Sequence, residues 1–186
     1  MRFRNSTVGY GILAQAFHWL VAALVFVQLA VGLYAANLPV SLARLQWLSN
    51  HKSLGLGILA LVLSRLAWRL LDPPPALPEL MPLWERRAAL VTHRLLYALL
   101  VLAPFVGWLH ASAAGLSVNW FGLFQVPDLV PKDRELSELF KLTHRVLVAL
   151  LALLLVGHIG GALAHAFARR DGMMHRMLPW RPGGSI

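Results

Sequence analysis

Eight histidines stand in a chain of 186 residues that is 58% hydrophobic and contains no cysteine. An imidazole is costly to place at membrane depth, so histidines inside apolar runs mark function more often than accident. His144 and His158 set the pattern. Fourteen residues of helix give about 21 Å of rise and about −40° of rotation, which puts both rings on one face at opposite depths. Each then needs a partner at its own level. His51 lies deep enough to meet His144, with His110 as a weaker rival, and His158 can meet either His18 or His93.

The chemistry on offer is metal ligation by pairs of imidazoles. Neither level has a carboxylate or thiolate nearby to complete a tetrahedral zinc or copper site, whereas a haem iron needs only two axial ligands. Met1, Met81, Met173, Met174 and Met177 all fall outside the apolar runs, which sets methionine ligation aside. The absence of cysteine excludes iron–sulfur ligation, disulfides and covalent c-type attachment, so a haem here is a non-covalent haem b. Gly55, one turn after His51, and Gly157, Gly160 and Gly161 around His158 would let a flat macrocycle press against helix backbone. Interhelical hydrogen bonding explains any one such histidine well, but it does not call for two depth-matched pairs. His165 and His175 lie at the end of the last apolar run, and His175 reads as an ordinary solvated histidine.

The elements that must position these rings are four apolar stretches, near 14–36, 48–71, 88–111 and 139–167. Each is long enough to cross a hydrocarbon layer of about 30 Å, for which about 20 residues are required. The fold class is therefore an all-α integral membrane protein, one domain over 1–186 built as a four-transmembrane-helix bundle. The mean hydropathy of +0.63 agrees. Arg2 and Arg4 before the first stretch give it the look of a signal peptide, but the run is longer than a usual signal core and carries His18, so it is read as a retained span. Between the second and third stretches, five prolines in eleven positions from Asp72 forbid helix and give a stiff extended connector. The third connection, roughly 112–138, contains Gly115, Gly122, Pro127 and Pro131, and its NWFGLF segment reads as an amphipathic stretch along the membrane interface.

Lys and Arg outnumber Asp and Glu by 17 to 8, yet the basic residues punctuate apolar runs rather than forming the patch that a nucleic-acid binder presents. They are topology signals. With the N-terminus cytoplasmic, that side holds eleven of them, including Arg65, Arg69, Arg86, Arg87, Arg169 and Arg181, against six outside, so both termini are expected in the cytoplasm.

FHWLV around His18, NHKSLG around His51, THRLLYALL around His93, LTHRVL around His144 and GHIGGALAHAF from His158 to His165, followed by the tail RRDGMMHRMLPW, together resemble the prokaryotic cytochrome b561 family. The resemblance covers essentially the whole chain and includes superoxide oxidases of the bacterial inner membrane. It implies four helices and two haems b, ligated by His51 with His144 and by His18 with His158. His93 is then left beside the cytoplasmic haem, bonding a propionate or a quinone.

What the resemblance implies for function is a membrane oxidoreductase passing electrons from a periplasmic donor to ubiquinone. Superoxide is the expected donor, because Lys52, Lys141 and Arg145, with Arg44 nearby, place a basic funnel around the outer pair that would concentrate a small anion. The same side chains could instead neutralise propionates or anchor helix ends. Quinone is expected at the cytoplasmic side, where His165 could donate to a carbonyl and relay a proton, assisted by Arg169, Arg86 and Arg87. Two other readings compete. One is a haem-bearing anchor or electron-shuttle subunit for a separate dehydrogenase or hydrogenase, and the other a haem-free transporter. The transporter lacks residues for carboxylate-coupled transport, since Asp72, Glu79, Glu85, Asp128, Asp133, Glu135, Glu138 and Asp171 all lie in loops or at ends. Membrane lipid, quinone and superoxide or a periplasmic protein are the expected partners.

Overall fold

The computed structural model describes residues 2–7, 9–78 and 81–178. Met1, Glu79, Arg181 and Trp180 of the tail motif lie outside the described residues. Four long helices carry the architecture: α1 (Ile12–Asn37), α2 (Leu42–Leu71), α3 (Leu83–Ala113) and α4 (Arg134–Leu163), the last continued by a π-helical segment Ala164–Arg169. All four are long and apolar enough to cross a membrane. Their outward faces carry Leu33, Leu153 and Val156, each about 70% exposed, as lipid contact requires.

The helices outrun the apolar stretches that announce them. α2 starts six residues before 48 because Ser41 caps it, its hydroxyl accepting the Arg44 N–H. α4 starts five residues before 139 because the Asp133 carboxylate caps it, accepting the Leu136 N–H at 2.9 Å. α3 begins directly after Pro82, at Leu83 rather than near 88. A helix that leaves the hydrocarbon keeps its backbone bonds until a cap or a proline ends it, so hydropathy alone understates its length.

In the connection from α3 to α4, NWFGLF folds as a two-stranded hairpin, β1 (Asn119–Trp120) paired antiparallel with β2 (Phe124–Gln125). Phe121 and Gly122 are both left-handed, at φ 47° and 78°, and the Leu123 N–H closes the turn on the Trp120 carbonyl. The hairpin docks on α2 through Ser53, whose hydroxyl donates to the Asn119 carbonyl and accepts the Phe121 N–H, while its carbonyl accepts the Trp120 indole. Phe121, Leu123 and Phe124 remain exposed at the tip.

α3 packs along α4, α1 along α2 and α2 along α3. The buried core draws on all four helices: Val21 and Val25, Ile58 and Val62, Leu96 and Leu100, and Leu151. In sequence Leu96 and Leu100 fall between His93 and His110 and Leu151 between His144 and His158, while Val21 and Val25 follow His18 and Ile58 and Val62 follow His51, so the cluster forms an apolar layer separating two histidine levels. At the end of the bundle that holds both termini, Asn5 ties the N-terminal segment to the end of α2, its N–H donating to the Asp72 carboxylate at 2.9 Å. Trp19 reaches from α1 to the Met177 carbonyl.

Candidate functional site

α4 carries His144 and His158 on one side at opposite depths, and each faces a histidine from another helix. At the hairpin end, the His51 and His144 ring centroids are 6.2 Å apart with planes at 86°. At the end with the termini, His18 and His158 are 6.3 Å apart with planes at 74°. His93 lies closer to His158, at 5.3 Å. An imidazole–metal bond of about 2 Å, with the ring centre about 1.1 Å behind its nitrogen, puts two trans imidazole centroids about 6 Å apart. The His51–His144 and His18–His158 pairs have that spacing, and the His93–His158 pair is too short for it. Among the described residues no three His, Asp or Glu side chains gather as a metal site of the zinc type would need.

Local structure fits the rings for such a role. His144 Nδ1 donates to the Ala103 carbonyl of α3 at 2.8 Å, which leaves Nε2 for a ligand. That carbonyl precedes Pro104, the proline inside α3, where the helix ladder lacks one N–H. His51 is steadied from α1, where the Gln28 amide donates to the His51 carbonyl at 2.9 Å and lies 3.4 Å from its Nε2. His51 Nδ1, packed against Gly32, is buried without a hydrogen-bond partner.

The glycines beside the rings are not all those expected. Gly55 faces Gln28, and a Cβ there would lie 3.0 Å from its amide nitrogen. The glycine against His51 is Gly32 of α1, where a Cβ would come within 2.8 Å of Cε1, and the one against His144 is Gly107 of α3, at 3.2 Å. Gly157, Gly160 and Gly161 face open space. A cofactor edge or a lipid chain can lie against that stretch of α4.

His110 Nδ1 lies 3.1 Å from the Ser137 carbonyl, joining α3 to α4. His93 Nδ1 donates to the Ala89 carbonyl of its own helix at 2.6 Å. His18 differs from the other rings, because its Nδ1 faces the Arg65 guanidinium at 3.0 Å. Arg65 and Gln28 were passed over as site residues in the sequence. The available signal was a charged and an amide side chain inside otherwise apolar spans.

The basic funnel is partly committed. Lys52 Nζ donates to the Leu116 carbonyl at 2.9 Å, holding the loop before the hairpin. Lys141 is paired with Glu138 at 3.1 Å. Arg145 is exposed and has no protein partner among the described residues.

At the opposite end, the π-helical segment turns His165 toward Asp171, with Nδ1 2.6 Å from the carboxylate. Partial burial works to raise the Asp171 pKa, but the His165 hydrogen bond and the Met173 N–H outweigh it and hold the carboxyl below its ordinary value. A cavity at this end is lined by Ala166, Arg170, Gly172, Met174 and His175, without His165 or Asp171 in its wall. Two arginines expected to assist are engaged elsewhere: Arg169 pairs with the buried Glu85 of α3, and Arg86 donates to the Pro78 carbonyl at 3.0 Å.

Residues 9–180 match the family model described as prokaryotic cytochrome b561. The chain is 33% identical over 183 residues to cytochrome b561 homolog 2 of Escherichia coli K12, covering 96% of this chain and 95% of the relative. It is 28% identical over 132 residues to cytochrome b561 homolog 1 of the same organism, covering 71% and 74%. Against the probable superoxide oxidase CybB of Yersinia pestis it is 29% identical over 177 residues, covering 94% and 98%. Four membrane-spanning helices and a family match over nearly the full length make this chain a multi-pass membrane haem protein of electron transfer, a member of the prokaryotic cytochrome b561 family.

Proposed function

We propose that the chain is a di-haem b cytochrome that carries electrons from a periplasmic donor, superoxide, to ubiquinone, with both termini in the cytoplasm of a bacterial cell. The observation that carries this reading is the recurrence of one imidazole spacing, 6.2 and 6.3 Å, at two depths of the same helix. His51 and His144 would hold the outer haem, His18 and His158 the inner one, with His93 beside it. Bound there, each haem supplies a one-electron iron couple.

The remaining work falls to the chain's own side chains. The Ala103 carbonyl fixes the His144 ring, and Gln28 holds the backbone carbonyl of His51. Val21, Val25, Ile58, Val62 and Leu151 keep water out of the layer between the levels. Arg145 offers an incoming anion a free cation at the outer face, while Lys52 shapes the loop beside it. Two superoxide ions yield two electrons and two molecules of dioxygen, and ubiquinone takes up those electrons with two protons. His165, held by Asp171, stands where it could deliver a proton to a quinone oxygen at the end of the bundle that holds the cavity.

A reduced-minus-oxidised spectrum of the purified protein, with haem quantification, tests the cofactor content. Two low-spin b haems per chain are expected, reduced on addition of superoxide and reoxidised by ubiquinone. One haem per chain, or reduction by quinol but never by superoxide, overturns the corresponding half. In the second case a stoichiometric redox partner would be sought, as for an anchor subunit of a dehydrogenase or hydrogenase.

A further inference from the structure

Arg65 lies well inside α2, where a charge is costly unless something answers it. Its guanidinium sits over the Tyr97 ring at 5.3 Å, and Arg69, one turn further along α2, approaches the same ring at 5.7 Å. Asp72, the nearest acid along the chain, is held by Asn5. Two cations thus meet one aromatic ring, and among the described residues neither has an ion-pair partner.

The contact with His18 sharpens the question. A guanidinium only donates hydrogen bonds, so the 3.0 Å contact makes His18 Nδ1 an acceptor and puts the ring proton of the neutral imidazole on Nε2. An imidazole bound to a metal through Nε2 carries its proton on Nδ1. The Arg65 bond and Nε2 ligation therefore exclude each other, and a ligating His18 obliges Arg65 to find another acceptor. His144 and His93 pose no such conflict, since each Nδ1 already faces a carbonyl.

We propose that Arg65, with Arg69 behind it and Tyr97 between them, is the anion-binding end of the inner haem pocket, where the guanidinium leaves His18 Nδ1 to bind a haem propionate. The inference deepens the functional reading above and rests on His18 and His158 holding that haem. The propionate accepts the hydrogen bonds that His18 gives up, and its charge answers the two arginines. A cation at that position favours the reduced haem, because reduction removes one positive charge from the iron.

The test uses purified holoprotein. Arg65→Gln should keep both haems and lower the midpoint potential of the inner haem alone, by about tenfold in its reduction equilibrium, about 59 mV for one electron. The propionate bending band of that haem in resonance Raman spectra should shift. Arg65→Lys should restore at least half of the potential. An unchanged potential and propionate band in Arg65→Gln, with both haems present, overturns the proposal. If that variant loses its haem, Arg69→Gln takes its place and should show a smaller shift in the same direction; no shift there is equally fatal. Retention of two haems by His158→Ala would instead overturn the reading beneath it.

Discussion

The imidazoles of His51 and His144 face each other from α2 and α4 at 6.2 Å, planes nearly perpendicular, each held by a different neighbouring helix. α1 supplies Gln28 to one ring and α3 the Ala103 carbonyl to the other, so all four helices contribute to this one level. The inner level is built differently, with an arginine where the outer one has backbone carbonyls.

His144→Ala and His158→Ala should each lose one haem, and a different one. Haem quantification with redox titration would separate them. The double variant should contain none, and two haems in either single variant would contradict the ligand assignment.

His18→Ala should reproduce the His158→Ala spectrum, while His93→Ala should keep both haems with an altered inner one. The centroid distances underlie this choice, since 5.3 Å between His93 and His158 is too short for trans ligation. Loss of the inner haem in His93→Ala alone would reverse it.

Gly32→Ala should damage the outer level more than Gly107→Ala, because its Cβ would come within 2.8 Å of the His51 ring against 3.2 Å for His144. Overpacking of this kind costs about 1–3 kcal/mol. Thermal unfolding followed at the haem band would give the order, and equal midpoints for the two variants would refute it.

Arg145→Gln should slow reduction by superoxide several-fold, and Lys141→Gln less, because Lys141 is already paired with Glu138. Raising the salt concentration should slow the wild type as well, since exposed charges are screened beyond about 8 Å at physiological ionic strength. Haem content should not change. Stopped-flow rates that ignore both the substitution and the salt would remove electrostatic attraction from the mechanism.

Asp171→Asn should slow ubiquinone reduction several-fold without loss of haem, since His165 would lose its charged partner. The Asp171 carboxyl is held below its ordinary value of 3.8, so it stays ionised at neutral pH and accepts the His165 hydrogen bond, which is lost only as the pH falls below that range. The wild type should therefore keep its quinone activity through mild acidification and lose it only in strong acid. A pH–rate profile in the variant identical to that of the wild type would exclude this role.

The parts of this molecule most legible in the sequence were those governed by composition and period. Apolar runs announced four spans, and the interval from His144 to His158 announced two levels on one helix face. Helix ends were less visible, because Ser41 and Asp133 extend α2 and α4 through single side-chain caps that hydropathy does not register. Contacts between helices were least visible. Gly32 and Gly107 stand against rings on other helices, so their roles depend on which faces the bundle brings together. Arg65 was readable as an anomaly inside an apolar span, but in a topology count it was one basic residue among seventeen.

The two glycines beneath the outer rings carry a last consequence. A ring that rests on peptide backbone has no pliable side chain behind it and little room for another rotamer, and the Ala103 carbonyl further fixes the rotation of His144. With a haem held there as proposed, little around the two rings could rearrange when its charge changed by one electron. Such a centre would have low reorganisation energy, leaving distance and driving force to set the pace of electron passage.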